Sequence, residues 1–111
     1  MASESDRQAL LKAILEPLLE DFQYWFSRSR DLLESQEIAV LSPQEQADLL
    51  HRVKSAQQEV TATQSLFKAA DGNVGVEMST IAPWHKLVTE CRQVAMQNRQ
   101  HQARSGNNET G

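Results

Sequence analysis

Residues 42–70 read SPQEQADLLHRVKSAQQEVTATQSLFKAA. The segment begins with a helix-start signal, formed by Ser42, Pro43 and Glu45. The Ser42 hydroxyl and the Glu45 carboxylate can each cap the other residue's backbone amide, and proline is frequent at the first helical position. Apolar or small residues then recur at alternating steps of three and four, at Leu49, Val53, Ala56, Val60, Thr63, Phe67 and Ala70. This spacing places them on one face and predicts a helix over 43–70.

The segment before this helix carries the same spacing. Its stripe consists of Leu11, Leu15, Leu18, Phe22, Trp25, Ser29 and Leu32. We therefore predict a first helix over about 6–36, antiparallel to the second and joined to it by a short connection at 37–41. Pro17 lacks an amide donor and leaves two interpretations open. Either one continuous helix is kinked there, or a short helix at 6–15 is followed by a new helix starting near Pro17.

A third helix is predicted after an irregular stretch at 71–82, which contains Gly72 and Gly75. It should begin at Pro83, run over 83–100 and face inward with Trp84, Leu87, Val88, Cys91, Val94 and Ala95. Residues 1–5 should be flexible, with Ser5 or Asp6 capping the first helix, and the polar tail at 101–111 should be disordered. The predicted fold is all-α: one domain, a long antiparallel helical hairpin with a third helix packed along it as a three-helix bundle.

Charge and composition exclude several classes of protein. The net charge of −4, from 15 acidic and 11 basic side chains, argues against direct nucleic-acid binding, which needs a cationic surface. A single cysteine, Cys91, cannot form an internal disulfide. The first residues lack the pattern of a signal peptide, and no apolar run approaches the ~20 residues that span a bilayer. We expect a cytoplasmic protein without membrane association.

No motif in the chain carries chemistry. The three histidines, His51, His85 and His101, lack metal-ligand spacing, and the glycines at 72 and 75 lack the strand, helix and lysine of a phosphate-binding loop. We therefore expect no catalytic residue, no cofactor and no metal ion, and hence a protein that is not an enzyme.

The candidate partner-binding residues lie mainly in the first helix. Four of the chain's six aromatic rings occur between positions 22 and 26, next to an acidic patch. Phe22, Trp25 and Phe26 can share an inward face while Tyr24 points away, so the cluster is either core or an aromatic interface site. Trp84 is either a core anchor or a partner contact. The candidate residues are Glu16, Glu20, Asp21, Tyr24, Trp25 and Trp84.

Several segments resemble a small cyanobacterial protein family described only as a domain of unknown function. They are Leu15–Phe22, Tyr24–Phe26, Leu41–Pro43, Asp71–Met78 and Pro83–Cys91, and the resemblance covers roughly residues 8–95. The family that the chain resembles is expected to include cyanobacterial regulators that bind and restrain ribonuclease E, and no binding residues are carried over from them. This resemblance implies a non-catalytic regulator of RNA turnover that acts through a protein partner, ribonuclease E. The alternative is a self-assembling helical scaffold or adaptor, such as a homodimer, that uses seams the third helix leaves uncovered.

Overall fold

The computed structural model describes residues 3–70 and 76–109, with side chains described as far as Arg104. It consists of three helices: α1 (Glu4–Ser35), α2 (Pro43–Ala69) and α3 (Met78–Glu109). Helix α1 packs against both α2 and α3. The predicted all-α hairpin with a third helix along it is confirmed.

Helix α1 begins earlier than the sequence analysis predicted. Ser3 is its N-cap: the Ser3 hydroxyl accepts from the Asp6 amide at 3.2 Å, and the Asp6 carboxylate accepts from the Ser3 amide at 3.3 Å. The prediction of Ser5 or Asp6 as the cap is therefore wrong, because Asp6 is the third helical residue and completes a capping box with Ser3. Residues 1–2 lie outside the described range.

Pro17 lies inside α1, which is one uninterrupted helix. The interpretation with two separate helices is therefore wrong. The buried stripe also differs from the predicted one: it consists of Leu15, Leu19, Phe22, Phe26 and Leu33. Leu18, Trp25 and Leu32 are only partly buried and pack at its side. The stripe is wide because α1 contacts two helices rather than one.

Helix α2 follows the prediction closely. The Glu45 amide donates to the Ser42 hydroxyl at 3.0 Å, and the Ser42 amide donates to the Glu45 carboxylate at 2.8 Å. Hydrogen bonds from the Ser42 backbone amide and, second, the Ser42 side chain hold the pKa of the Glu45 carboxyl below its ordinary value. The buried residues of α2 are Leu49, Val53, Ala56, Val60 and Phe67. Its predicted inward stripe is confirmed at these five positions.

The connection between α1 and α2 is held by Gln46. Its side-chain amide donates to the carbonyl oxygens of Leu33 at 2.9 Å and Gln36 at 2.7 Å, and its Oε1 accepts from the Ile38 amide at 2.9 Å. The last carbonyls of a helix have no partner within the helix, so Gln46 supplies one from α2. Ile38 is fully buried beneath this bridge.

Helix α3 is longer than predicted at both ends. It starts at Met78 rather than Pro83, because Ile81 is buried beside Trp84 and extends the apolar stripe by one turn. Pro83 lies inside the helix, where it forgoes only one hydrogen bond near the N-terminus. The segment 101–109 is helical although its composition predicted disorder; residues 110–111 lie outside the described range.

Two contacts fix α3 on the hairpin. Arg52 of α2 donates to both carboxylate oxygens of Glu90 at 2.9 and 2.8 Å. The Trp84 indole donates to Glu59 at 3.1 Å, and its ring meets Phe22 edge-on with centroids 5.6 Å apart. Helix α3 therefore runs antiparallel to α2 and parallel to α1, with Trp84 where the three helices meet.

Candidate functional site: the groove between α1 and α3

An open groove runs between α1 and α3 on the side away from α2. It consists of two adjoining depressions with volumes of about 420 and 230 Å³. Both are lined by Trp25, Arg28, Arg92, Ala95 and Arg99. We call this surface the α1–α3 groove. The groove exists because the α3 residues that face α1 here are small or polar: Cys91, Ala95 and Asn98 lie opposite Ser29 of α1.

Trp25 lines one wall of the groove and contacts Tyr24 beside it. The rings of Tyr24 and Trp25 meet edge-on with centroids 5.4 Å apart. The Arg92 guanidinium lies over the Trp25 ring, 5.0 Å from its centroid, and Arg28 lies over the Tyr24 ring while donating to its hydroxyl at 2.8 Å. Each ring thus has an arginine on its face, a favourable cation–π arrangement.

The charge of the groove is opposite to that of the whole chain. Arg28, Arg92 and Arg99 line it, and no aspartate or glutamate does. Over residues 3–70 and 76–104, no carboxylate forms an ion pair with any of the three arginines. Arginine stays protonated in proteins, so the groove is a fixed cationic surface on a chain of net charge −4.

The floor of the groove combines a thiol and an amide. Burial raises the pKa of the Cys91 thiol, which is therefore protonated and unreactive near neutral pH. Asn98 is only 4% exposed, and its side chain makes no hydrogen bond with a described residue. Because no fully buried side-chain nitrogen or oxygen in the described part lacks a partner, the Asn98 amide must reach the open space of the groove.

The predicted partner-binding residues do not form one surface. Glu16, Glu20, Asp21 and Tyr24 are exposed, Trp25 is half-buried, and Trp84 is 2% exposed and lies in the core. At 100° per residue, Glu20 is about 140° and Glu16 about 180° around α1 from Trp25. Of these residues only Trp25 lines the groove. Asp21 is exposed about 40° from Trp25, one turn before it, whereas Tyr24 is about 40° from Glu20 on the neighbouring face of α1. Trp84 can influence a surface only through packing.

The sequence analysis missed the groove residues of α3. Arg92 and Arg99 are seven residues apart, which places them on the same helix face two turns apart. That spacing was visible in the sequence. Their position opposite Trp25 and Arg28 was not, because it depends on how α3 packs on α1.

A metal cluster and a membrane-spanning helix are both absent from the described residues. Among them, no group of three or more histidine, cysteine, aspartate or glutamate side chains lies close enough to hold a metal ion. None of the described helices is both long and apolar enough to cross a bilayer.

The fold and the groove define a small all-α protein of three long helices with a cationic, aromatic-lined groove. Residues 5–100 match the sequence profile of a family described as "Protein of unknown function (DUF2605)", and the chain belongs to that family. No curated protein and no solved structure matches the chain.

Proposed function

We propose that this chain is a non-enzymatic regulator that acts by binding another protein in the cytoplasm. The α1–α3 groove is the observation that carries the proposal. It presents three arginines without ion-pair partners among the described residues, a half-buried tryptophan and the exposed side chain of Met96. Arginine, tryptophan and tyrosine are the residues that dominate binding energy at protein interfaces.

Ribonuclease E is the partner that the sequence resemblance implies, and we propose it as the target. The chain would restrain the ribonuclease and so modulate RNA turnover. Two surfaces are available for such a complex. The groove fits an acidic segment, and the exposed carboxylates Glu16 and Glu20 fit a basic surface beside an RNA path.

Binding and cleavage measurements with purified components test this proposal. We expect the chain to bind ribonuclease E and to slow cleavage of a model RNA substrate. Arg92→Glu reverses a groove charge, and Glu20→Lys reverses a charge on the acidic face, so the pair shows which surface binds. If the chain neither binds the ribonuclease nor changes the cleavage rate, ribonuclease E is not its target.

Self-assembly is a second candidate, supported by exposed apolar side chains at one end of the molecule. Leu10 is 62%, Leu11 43% and Ile14 55% exposed, all near the N-terminus of α1. Leu66, near the C-terminus of α2, is 61% exposed at the same end of the hairpin. Apolar side chains concentrated in this way favour association.

Sedimentation equilibrium at several protein concentrations separates this candidate from the first. A homodimer that uses the apolar end should dissociate in Leu10→Gln and persist in Tyr24→Gln, which removes an exposed apolar side chain elsewhere. A molar mass equal to that of the monomer at every concentration excludes self-assembly and leaves binding to a different protein.

A further inference from the structure

We propose that the α1–α3 groove binds an acidic helical segment of a partner protein, with two carboxylates seven residues apart pairing with Arg92 and Arg99. This inference rests on the proposed protein-binding function and adds the chemistry of the segment that is bound. Three observations support the inference: the positive charge of the groove, the spacing of its arginines, and the arginines that cover its aromatic rings.

The charge of the groove selects an acidic occupant. Arg92 and Arg99 have no ion-pair partner among the described residues, and no carboxylate lines the groove. A guanidinium can bind both oxygens of a carboxylate through parallel hydrogen bonds. An acidic segment would place its carboxylates where the chain itself supplies none.

The spacing of the arginines selects a helix. Arg92 and Arg99 are seven residues apart, so their backbones lie about 10 Å apart along α3. Carboxylates at i and i+7 of a partner helix have the same separation and project from the same face. In an extended chain, residues on one face are spaced by about 6.6 or 13 Å, and neither distance matches.

The remaining lining completes a helix-binding groove. Met96 offers apolar surface between the two arginines, where the apolar residues at i+3 and i+4 of a bound helix would lie, and Trp25 lines the groove beneath Arg92. Asn98, buried and without a hydrogen-bond partner, can both donate to and accept from a polar side chain of that helix. Binding would satisfy an amide that is only partly hydrated in the free protein.

The aromatic rings disfavour single-stranded RNA as the occupant. Base stacking needs an open ring face, but Arg92 covers Trp25 at 5.0 Å and Arg28 covers Tyr24 at 5.6 Å. The edge-on contact between the two rings restricts access further. A helix that binds the outer edge of the guanidinium groups leaves both stacks in place.

Fluorescence anisotropy with labelled synthetic peptides tests the inference on the full chain. The probe is a helical peptide with glutamates at i and i+7 and leucines at i+3 and i+4. Two matched peptides carry glutamine in place of both glutamates, or the same composition with glutamates at i and i+5. We expect the first peptide to bind at least about tenfold more tightly than either control, a difference of about 1.4 kcal/mol.

Variants of the chain assign the peptide to the groove. Arg92→Gln and Arg99→Gln should each weaken binding about tenfold, and Arg104→Gln should not, although it removes the same charge from an exposed position on α3. Binding should also weaken as salt rises from 50 to 200 mM, since screening acts on rim ion pairs. Circular dichroism confirms that each variant is folded.

The inference would be overturned by no binding of the i, i+7 peptide, equal binding of the i, i+5 peptide, full binding by Arg92→Gln and Arg99→Gln, or tighter binding of a polyuridylate oligonucleotide. Displacement of the peptide by millimolar inorganic phosphate would also overturn it, because the groove would then be an anion site. A partner protein whose binding survives both arginine substitutions would refute this use of the groove while leaving the protein-binding function intact.

Discussion

Replacing Gln46 with alanine removes three hydrogen bonds that join the end of α1 to the start of α2. The side chain donates to the carbonyls of Leu33 and Gln36 and accepts from the Ile38 amide, at 2.7 to 2.9 Å. Each such hydrogen bond contributes about 1 kcal/mol net, and water can reach only some of the groups left unpaired. We therefore expect Gln46→Ala to lower the free energy of unfolding by about 2–3 kcal/mol.

Urea denaturation followed by circular dichroism at 222 nm measures this loss. With a denaturant slope of about 2 kcal/mol per molar, the midpoint should fall by about 1–1.5 M. Gln44→Ala is the matched control, because Gln44 is an exposed glutamine in the same first turn and makes no side-chain hydrogen bond with a described residue. Gln46→Glu should destabilise at least as much as alanine, since a carboxylate cannot donate to the two carbonyls.

The reasoning fails if Gln46→Ala shifts the midpoint no more than Gln44→Ala does. Such a result would mean that water replaces the three hydrogen bonds at no cost. The slope must also stay constant, because a change in slope would show that the substitution alters the denatured state or the two-state behaviour.

Three further predictions concern the core, the α2–α3 ion pair and the thiol. Trp84→Phe removes the indole hydrogen bond to Glu59 and should cost about 2 kcal/mol in urea denaturation, whereas Glu59→Gln keeps an acceptor and should cost less. Hydrogen bonds from Arg52 hold the pKa of Glu90 below its ordinary value of 4.5, so this ion pair stabilises the fold above that value and its contribution is lost as the pH falls through the lowered pKa. Thermal unfolding between pH 7 and pH 3 should therefore show a smaller acid-induced loss of stability for Glu90→Gln than for the native chain; equal losses would contradict the pairing. Because burial raises the pKa of Cys91, its reaction with a disulfide reagent at pH 8 should be much slower in the folded chain than in urea, and equal rates would show that the thiol is accessible.

Local rules were enough to predict α2. The capping box at Ser42 and the stripe from Leu49 to Phe67 depend only on neighbouring residues, and the structure has both. The α1 stripe was partly misassigned because two overlapping patterns fit its sequence. Leu18 and Trp25 follow the same seven-residue spacing as Leu19 and Phe26, and in the folded chain the second pair is the more buried one.

The groove was even harder to predict from the sequence than the buried stripe of α1. Trp25 was a candidate because it belongs to the aromatic cluster at 22–26, but its neighbours Arg92 and Asn98 lie more than 65 positions away in sequence. Nothing local to either segment encodes that proximity. At the start of α3 a local rule gave the wrong boundary. Proline is frequent at the first helical position, but burial of Ile81 outweighs that preference, and Pro83 lies inside the helix.

The amide layer between α1 and α2 gives the hairpin a single alignment. The Gln23 Nε2 atom, which carries two N–H donors, lies 2.7 Å from the Thr61 hydroxyl and 3.3 Å from both the backbone carbonyl oxygen of Gln57 and the side-chain oxygen of Gln64. If α1 slid along α2 by seven residues, many apolar contacts of the core would be replaced by similar ones. Apolar packing alone therefore favours one alignment over another only weakly. The same slide would break every hydrogen bond of Gln23 at once. Gln23 therefore specifies the alignment of α1 and α2 in the way that a polar residue at a core position specifies the register of a coiled coil. This alignment sets where Trp25 lies along α2, and the contacts of α3 with both helices, Arg52 with Glu90 and Trp84 with Phe22, then position the other wall of the groove.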